Sequence, residues 1–531
     1  MIRRLALAIA ACAALLAAGC GGGGGGGGIG AFTGPDPATL TPADAPLFAE
    51  AVVRPEGDQK EALQGALSKL LATDDPGGFL IDKLNKELAV PGSKSGLTYA
   101  RDIEPWLGER AGIFVTGFKR DQEGAPVVQG ASLVATTDPA ATQQAIDKAE
   151  AADPTGNKKR TYRGVDYELD RRGQAAGLVG DLLVVGSNQA FREAVDASHG
   201  QSLAESSQFK DELDQAPDDQ VAFAYADPGA FVDALEKTGQ LTASDVRAAG
   251  PQLQGLLSQP ATASISATSD QLALQVSAAQ SKAAPAPQAS SMLSDFPSDS
   301  WFAFAASDAG RSVGQALSAA APGPLARALG AGIGRWAGEI GGFARGTSLF
   351  GIGGALVIKT TDERASARTL DSLERVLSRD PSVDVSPLST SGEHGFSLSP
   401  SGLPAQFQFV QRDGEVAAGL ADSINDVFSP SSRLSDSEAF KAATGALGSD
   451  FAPITFIDFG PLFQLVDGFP QAAHDPGYRS ARPYLDHLKD LILGDRSTGD
   501  SASARVVLGL QDAPSAASTG GSQSPATLQV P

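Results

Sequence analysis

The chain repeats itself, and this constrains its fold more than any bulk property does. Trp-Leu-Gly-Glu at Trp106 to Glu109 returns as Trp-Ala-Gly-Glu at Trp336 to Glu339. LVATTDPAATQQAIDKAE, from Leu133 to Glu150, returns as VIKTTDERASARTLDSLE, from Val357 to Glu374, with Thr-Thr-Asp in both. SLAESSQFK (Ser202 to Lys210) is answered by RLSDSEAFK (Arg433 to Lys441), and VAFAYADPGAFVDAL (Val221 to Leu235) by PITFIDFGPLFQLV (Pro453 to Val466). The pairs keep their order, and their anchors stay 224 to 231 residues apart, from Asp138 and Asp362 to Phe209 and Phe440. Collinear self-similarity at a nearly fixed spacing marks a duplicated unit. Two diverged copies are therefore expected in tandem, residues 38–280 and 291–511, joined by a Pro- and Ala-rich linker at 281–290.

Periodicity within a copy alternates between helix and strand. QKEALQGALSKLLAT (Gln59 to Thr73) has helical spacing, AGIFVTGF and PVVQGASLVAT predict strands, and a helix is predicted from Pro139. TYRGVDYELD, QAAGLVG and LLVVGS predict three short strands separated by turn residues. Two helices then lead to a strand at Val221 to Ala226, and Ala261 to Ala278 predicts a hairpin around Ser269-Asp270. Hairpins in place of strict strand–helix alternation predict an α+β fold. The expected architecture is two tandem homologous modules, each a mainly antiparallel sheet packed with helices.

The two ends read differently from the body. Arg3 and Arg4 precede an apolar run, Leu5 to Gly19, which is shorter than the roughly 20 residues of a spanning helix and has the layout of a secretory signal. Ala17-Ala18-Gly19-Cys20 resembles the lipobox of bacterial lipoproteins, with Ala17 where leucine is usual. That resemblance implies removal of residues 1–19 and lipid attachment at Cys20. The only other cysteine, Cys12, falls inside the signal, so a plain cleaved signal leaves one unexplained thiol. Residues 20–37, with eight consecutive glycines, predict a flexible tether between Cys20 and the body. Residues 512–531 are poor in apolar side chains and predict a disordered tail.

The opening LTPADAPLFAEAVV, the block DIEPWLGERAGIFV, the stretch TYRGVDYELD and the run GLVGDLLVVGSNQAFREAV followed by SLAESSQFK carry a further resemblance. The chain is similar to a family of exported bacterial proteins catalogued as domain of unknown function 3352. The likeness spans nearly all of residues 38–280 and, more faintly, 293–511. It implies an envelope protein and transfers no catalytic residue.

Charge narrows the partners. The chain has a formal net charge of −21, and loss of Arg3 and Arg4 with the signal makes the remainder more acidic still. Such a surface repels phosphate backbones and anionic headgroups, so nucleic acid is excluded as a partner. Apolar residues make up 42%, enough for sizeable cores, and without cysteines in the body the stability must come from packing.

Few residues suggest chemistry. His199, His394, His474 and His487 are the only histidines, and none stands at metal-ligand spacing from another. His199-Gly200 and His394-Gly395 predict turns. Ser207-Gln208-Phe209-Lys210 with Lys237-Thr238-Gly239 matches two elements of the penicillin-binding signature. Against it, the second element follows too soon, no Ser-x-Asn lies between, and the second copy has Glu438 where Ser207 stands. Ser206 and Ser437 align instead as helix N-caps. Gly330, Gly334, Gly338, Gly342 and Gly346 recur every four residues, and a glycine-rich loop running into a strand fits them better than a helical stripe. Trp106 and Trp336 are expected to be core anchors, with Glu109 and Glu339 pairing locally with Arg110 and Arg335.

No catalytic, cofactor-binding or metal site is predicted, and Cys20 is the one site residue. The expected function is that of a non-catalytic binding or envelope-interaction lipoprotein on the extracytoplasmic face of the cell membrane. The membrane is its partner through the lipid on Cys20, with an envelope protein or cell-wall polymer as a further one. Two alternatives stay open: a carrier of an apolar small molecule between the modules, and a serine acyl-enzyme acting through Ser207.

Overall fold

The computed structural model describes residues 32–88, 97–120, 126–151, 157–237, 241, 259–279, 290–307, 333–349, 351–388, 393–402, 405–498 and 501–513. The signal, Cys20, most of the tether and of the linker, Thr238, Gly239, Gly330 and nearly all of the tail lie outside the described residues. The chain forms two compact units, Met1–Ala284 with Gly499–Ser503, and Pro285–Thr498 with Ala504–Pro531.

In the first unit the strands are β1 (Leu47–Val52), β2 (Leu107–Arg120), β3 (Pro126–Thr136), β4 (Lys158–Tyr162), β5 (Val165–Leu169), β6 (Gln174–Val179), β7 (Leu182–Ser187), β8 (Gln220–Ala226), β9 (Ala261–Thr268) and β10 (Gln271–Ala279). Their pairing is antiparallel, in the spatial order β4-β5-β6-β7-β3-β2-β1-β8-β9-β10. TYRGVDYELD is thus two strands instead of the one expected. Arg163-Gly164 turns the chain between β4 and β5, with φ of 48° and 85°, and the left-handed backbone at both centres suits a two-residue hairpin.

The second unit has β11 (Ser300–Ala306), β12 (Ala337–Arg345), β13 (Gly353–Thr360), β14 (Val383–Pro387), β15 (His394–Pro400), β16 (Phe407–Arg412), β17 (Glu415–Leu420), β18 (Ala452–Asp458), β19 (Leu488–Ser497) and, from Ala504 on, β20 (Ser501–Leu510). Its order is β14-β15-β16-β17-β13-β12-β11-β18-β19-β20, the first unit's order strand for strand. His394-Gly395 is not the expected turn. It opens β15, where the ladder sets His394 opposite Gln411 and Gly395 opposite Val410.

Helices cover both faces of the first sheet. On one face Phe48, Phe114, Phe223 and Tyr225 pack under the helices Asn188–Ala197 and Ser207–Leu213. On the other, Trp106, Val134, Leu183 and Val185 pack under Pro76–Leu88 and Pro139–Ala151. The wholly apolar LLVVGS follows from this: Leu182 and Val184 serve one core while Leu183 and Val185 serve the other.

The repeated motifs perform one local task. The Thr137 amide donates to the Trp106 carbonyl at 2.9 Å, and the Thr361 amide to the Trp336 carbonyl at 2.7 Å. Asp138 then caps the helix Pro139–Ala151, its carboxylate accepting from the Ala140 and Ala141 amides at 3.0 Å, and Asp362 accepts from Ala365 in the same way. Asp138→Ala is expected to cost about 1 kcal/mol. Faster hydrogen exchange confined to the first turn of that helix is the result to look for, and unchanged exchange there would refute the capping role.

Candidate functional site

The sheet's helical cover is incomplete in the first unit. Alternate residues of a strand share a face, so antiparallel register decides which side chains line up across it. One cross-strand row is Ile113, Ala49, Ala224, Ala263 and Val276, running from β2 through β1, β8 and β9 to β10. Two residues along, a second row is Ala111, Ala51, Ala222, Ile265 and Leu274. These rows floor a shallow apolar groove on the sheet face, a cavity of about 220 Å³ whose described lining residues all stand on strands.

Its surroundings follow from the same packing. Ala111 belongs to the core around Trp106. Toward the β9–β10 turn, Leu63 and Leu67 of the helix Gly57–Leu70 pack on Val221, Ala267 and Leu272. Beyond that helix the floor is partly open: Ile265 is 41% exposed, and Leu274 and Val276 are each 43% exposed. On these two strands Thr262, Ser264, Ser266, Gln275 and Ser277 are all below a tenth exposed, while the polar residues next to the turn, Thr268 and Gln271, are not buried. A hairpin that hides its polar row and shows its apolar row reverses the usual solvation preference, and contiguous exposed apolar surface of this kind marks an interaction site.

The charge under the floor faces away from it. Glu50 neighbours Ala49 and Ala51, but its carboxylate turns to the opposite face, where Arg110 Nη2 donates to Glu50 Oε2 at 2.5 Å and to Asp36 Oδ1 at 2.9 Å. Burial pushes the Glu50 carboxyl up to about 7, against the opposing pull of the Arg110 guanidinium. Glu50 and Phe223 also border the groove, but with the Glu50 carboxylate held by Arg110, the side chains that the two rows present are aliphatic. A larger cavity, about 580 Å³, is lined by the exposed charges of Asp44, Lys119, Asp233 and Lys237, which water already solvates.

The residues singled out in the sequence lie elsewhere. Ser207 and Lys210 are exposed on the helix Ser207–Leu213, and Lys237 ends another helix. Ser206 is a cap, accepting from the Phe209 amide at 3.3 Å, whereas Ser437 stands at the cap position of Glu438–Leu447 with no side-chain capping bond. Trp106 and Trp336 are buried, their ring N–H groups donating to the Asp102 carbonyl and to Thr369 Oγ1.

Glu109 does not pair with Arg110, because successive residues of β2 point to opposite faces and Arg110 serves Glu50. Glu339 meets Lys359 of the neighbouring strand β13 at 3.0 Å instead of Arg335. The histidines hold local contacts: His199 Nδ1 lies 2.9 Å from the Val195 carbonyl, His394 Nε2 2.9 Å from Asp371, His474 Nδ1 2.6 Å from the Pro470 carbonyl, and His487 Nδ1 3.0 Å from the Gln511 carbonyl. Of the glycine series, Gly338 and Gly342 stand in β12 and Gly346 follows it.

One carboxyl cluster has no signature along the chain: the Glu168 carboxyl on β5 is pushed up by burial and then by Glu150 and Asp147 nearby. The groove has little signature either, because isolated alanines on separate strands are only weakly apolar. Among the described residues no three His, Cys, Asp or Glu side chains are placed to hold a metal, and no helix is long and apolar enough to cross a membrane.

Together these features define an α+β protein of antiparallel sheets flanked by helices, with an apolar groove on its first unit. Residues 80–503 match the family described as Protein of unknown function (DUF3352), and the chain belongs to that family. No curated protein matches it. Two solved structures, crystal forms I and III of TP0453, align at 11% and 10% identity with TM-scores of 0.25 and 0.23. These alignments cover 47% and 46% of this chain and 80% and 79% of the other.

Proposed function

We propose that this chain is a lipid-anchored protein of the extracytoplasmic membrane face, built from two diverged copies of one unit, that binds an apolar ligand without performing chemistry. The groove floored by the rows through Ala49 and Ala51 carries the binding part of this reading. Ligand sites are mostly apolar concavities, and a cavity of about 150 Å³ already holds benzene. The matching strand orders support the duplication, and the short apolar leader ending at Cys20 supports the anchor.

Two experiments test the two parts. The mature chain carrying Cys20→Ser is expected to leave the membrane fraction and to lose acylation, because stable anchoring needs the acyl chains on that sulfur. Retention with acylation intact would overturn the anchor. Native mass spectrometry of the same soluble chain is expected to show an extra mass that unfolding removes. A bare polypeptide mass, unchanged after incubation with membrane extract, would remove the ligand.

A further inference from the structure

The second unit shows what the same sheet face looks like when the protein fills it. In the first unit Phe48 lies opposite Phe114 and Tyr225, and Tyr225 meets Phe209 at 5.5 Å. In the second, Ala303 lies opposite Phe343 and Phe456, and Phe456 meets Phe440 at 5.3 Å. These ladder positions correspond, so the next residues correspond too: Ala49, between Ile113 and Ala224, becomes Phe304, between Gly342 and Thr455. The Phe304 ring lies over Gly342, where an added Cβ would come within 3.0 Å of the ring. Phe302 stands beside it, ring centroids 5.8 Å apart. Both rings are half-buried.

We infer that the first-unit groove takes one unbranched hydrocarbon chain laid across the strands, and that Phe304 closes the corresponding place in the second unit, so that each protein holds a single chain. This rests on the function proposed above. Shape argues for a chain over a ring system. The rows cross five strands, four spacings of about 4.8 Å, which makes a track about 19 Å long. The rows stand only two residues apart, about 7 Å along the strand. Chemistry argues the same way, since a polar group lying on methyl groups would forfeit its hydrogen bonds to water. The second unit supplies phenyl rings at this level, so apolar contact is what the face accepts.

The test uses cis-parinaric acid, a fluorescent straight-chain fatty acid, titrated into the mature Cys20→Ser chain, with stoichiometry read by native mass spectrometry. One equivalent is expected to bind. Ala49→Phe, which copies the second unit's plug, is expected to weaken binding at least tenfold, and Phe304→Ala to raise the stoichiometry to two. Ala224→Phe and Phe304→Val, held to the same expectations, replace any variant whose circular dichroism shows it unfolded. Absence of binding to the unsubstituted chain refutes this inference, and overturns the proposed function as well only where membrane extract also leaves the bare polypeptide mass. Binding that survives both plugs, two equivalents in the unsubstituted chain, or a single equivalent in folded Phe304 variants would leave that function standing and refute this inference.

Discussion

Trp106→Ala is expected to destabilise the first unit by about 3–5 kcal/mol, the cost of emptying a large aromatic site in a close-packed core. Trp106 is 1% exposed and packs in the cluster that includes Leu84, Ile103 and Leu183. Its ring N–H donates to the Asp102 carbonyl at 2.6 Å, so truncation removes a hydrogen bond as well as volume. The ring bond to Asp102 ties the Tyr99–Asp102 turn to the start of β2, while the Trp106 main-chain carbonyl, which the substitution keeps, accepts from the Thr137 amide. Trp106→Phe keeps most of the volume and loses the N–H, so its cost is expected to be less than half as large. Hydrogen exchange of the β2 and β3 amides reads both effects, since those strands open with the core they bound. Equal exchange in the alanine variant and the parent chain would show that Trp106 is not an anchor.

Arg110→Met is expected to cost about 3–5 kcal/mol at about pH 8, because it strands a buried carboxylate. The same substitution is expected to cost less at about pH 5, where Glu50 can take up a proton and become neutral. The sign follows from the raised carboxyl. Its ordinary value is 4.5 and its folded value about 7, so the folded state binds the proton more tightly. Stability from this group is complete below about 4.5 and is lost as pH rises through about 7. Glu50→Gln is expected to flatten that slope. Glu50→Ala combined with Arg110→Met is expected to recover most of the loss, since a buried pair is costly chiefly when only one partner is removed. The second unit runs its corresponding ladder position with Ala305. Urea midpoints at the two pH values decide the matter, and an equal cost at both would refute the buried-carboxyl account.

Much of the fold is legible along the chain, and the reasons are local. Asp138 before an apolar-periodic stretch announces a helix start through its own carboxylate. LLVVGS announces a strand, and the structure shows that its two faces serve two cores. The hairpin around Ser269-Asp270 is expected from its turn residues and found in the β9–β10 pairing. TYRGVDYELD misleads because the two central residues of a tight hairpin are too few to interrupt its β-forming composition. The Glu109–Arg110 pair misleads for a related reason: neighbours in sequence are opposite-facing in a strand.

The groove was not legible at all. Ala49, Ala111, Ala224 and Ala263 are weak signals one by one, and the polar Thr262 and Ser264 are buried in the structure. By itself the sequence determined the periodicities, the caps, the turns and the collinear repeat, since each is written in residues that are close together or copied in order. Only the tertiary structure decided that aliphatic side chains from five separate strands would share one row, and that Ala49 and Phe304 would each stand beside a ladder pair of aromatic residues. Register is the physical reason: it is a property of paired strands, and no single strand carries it.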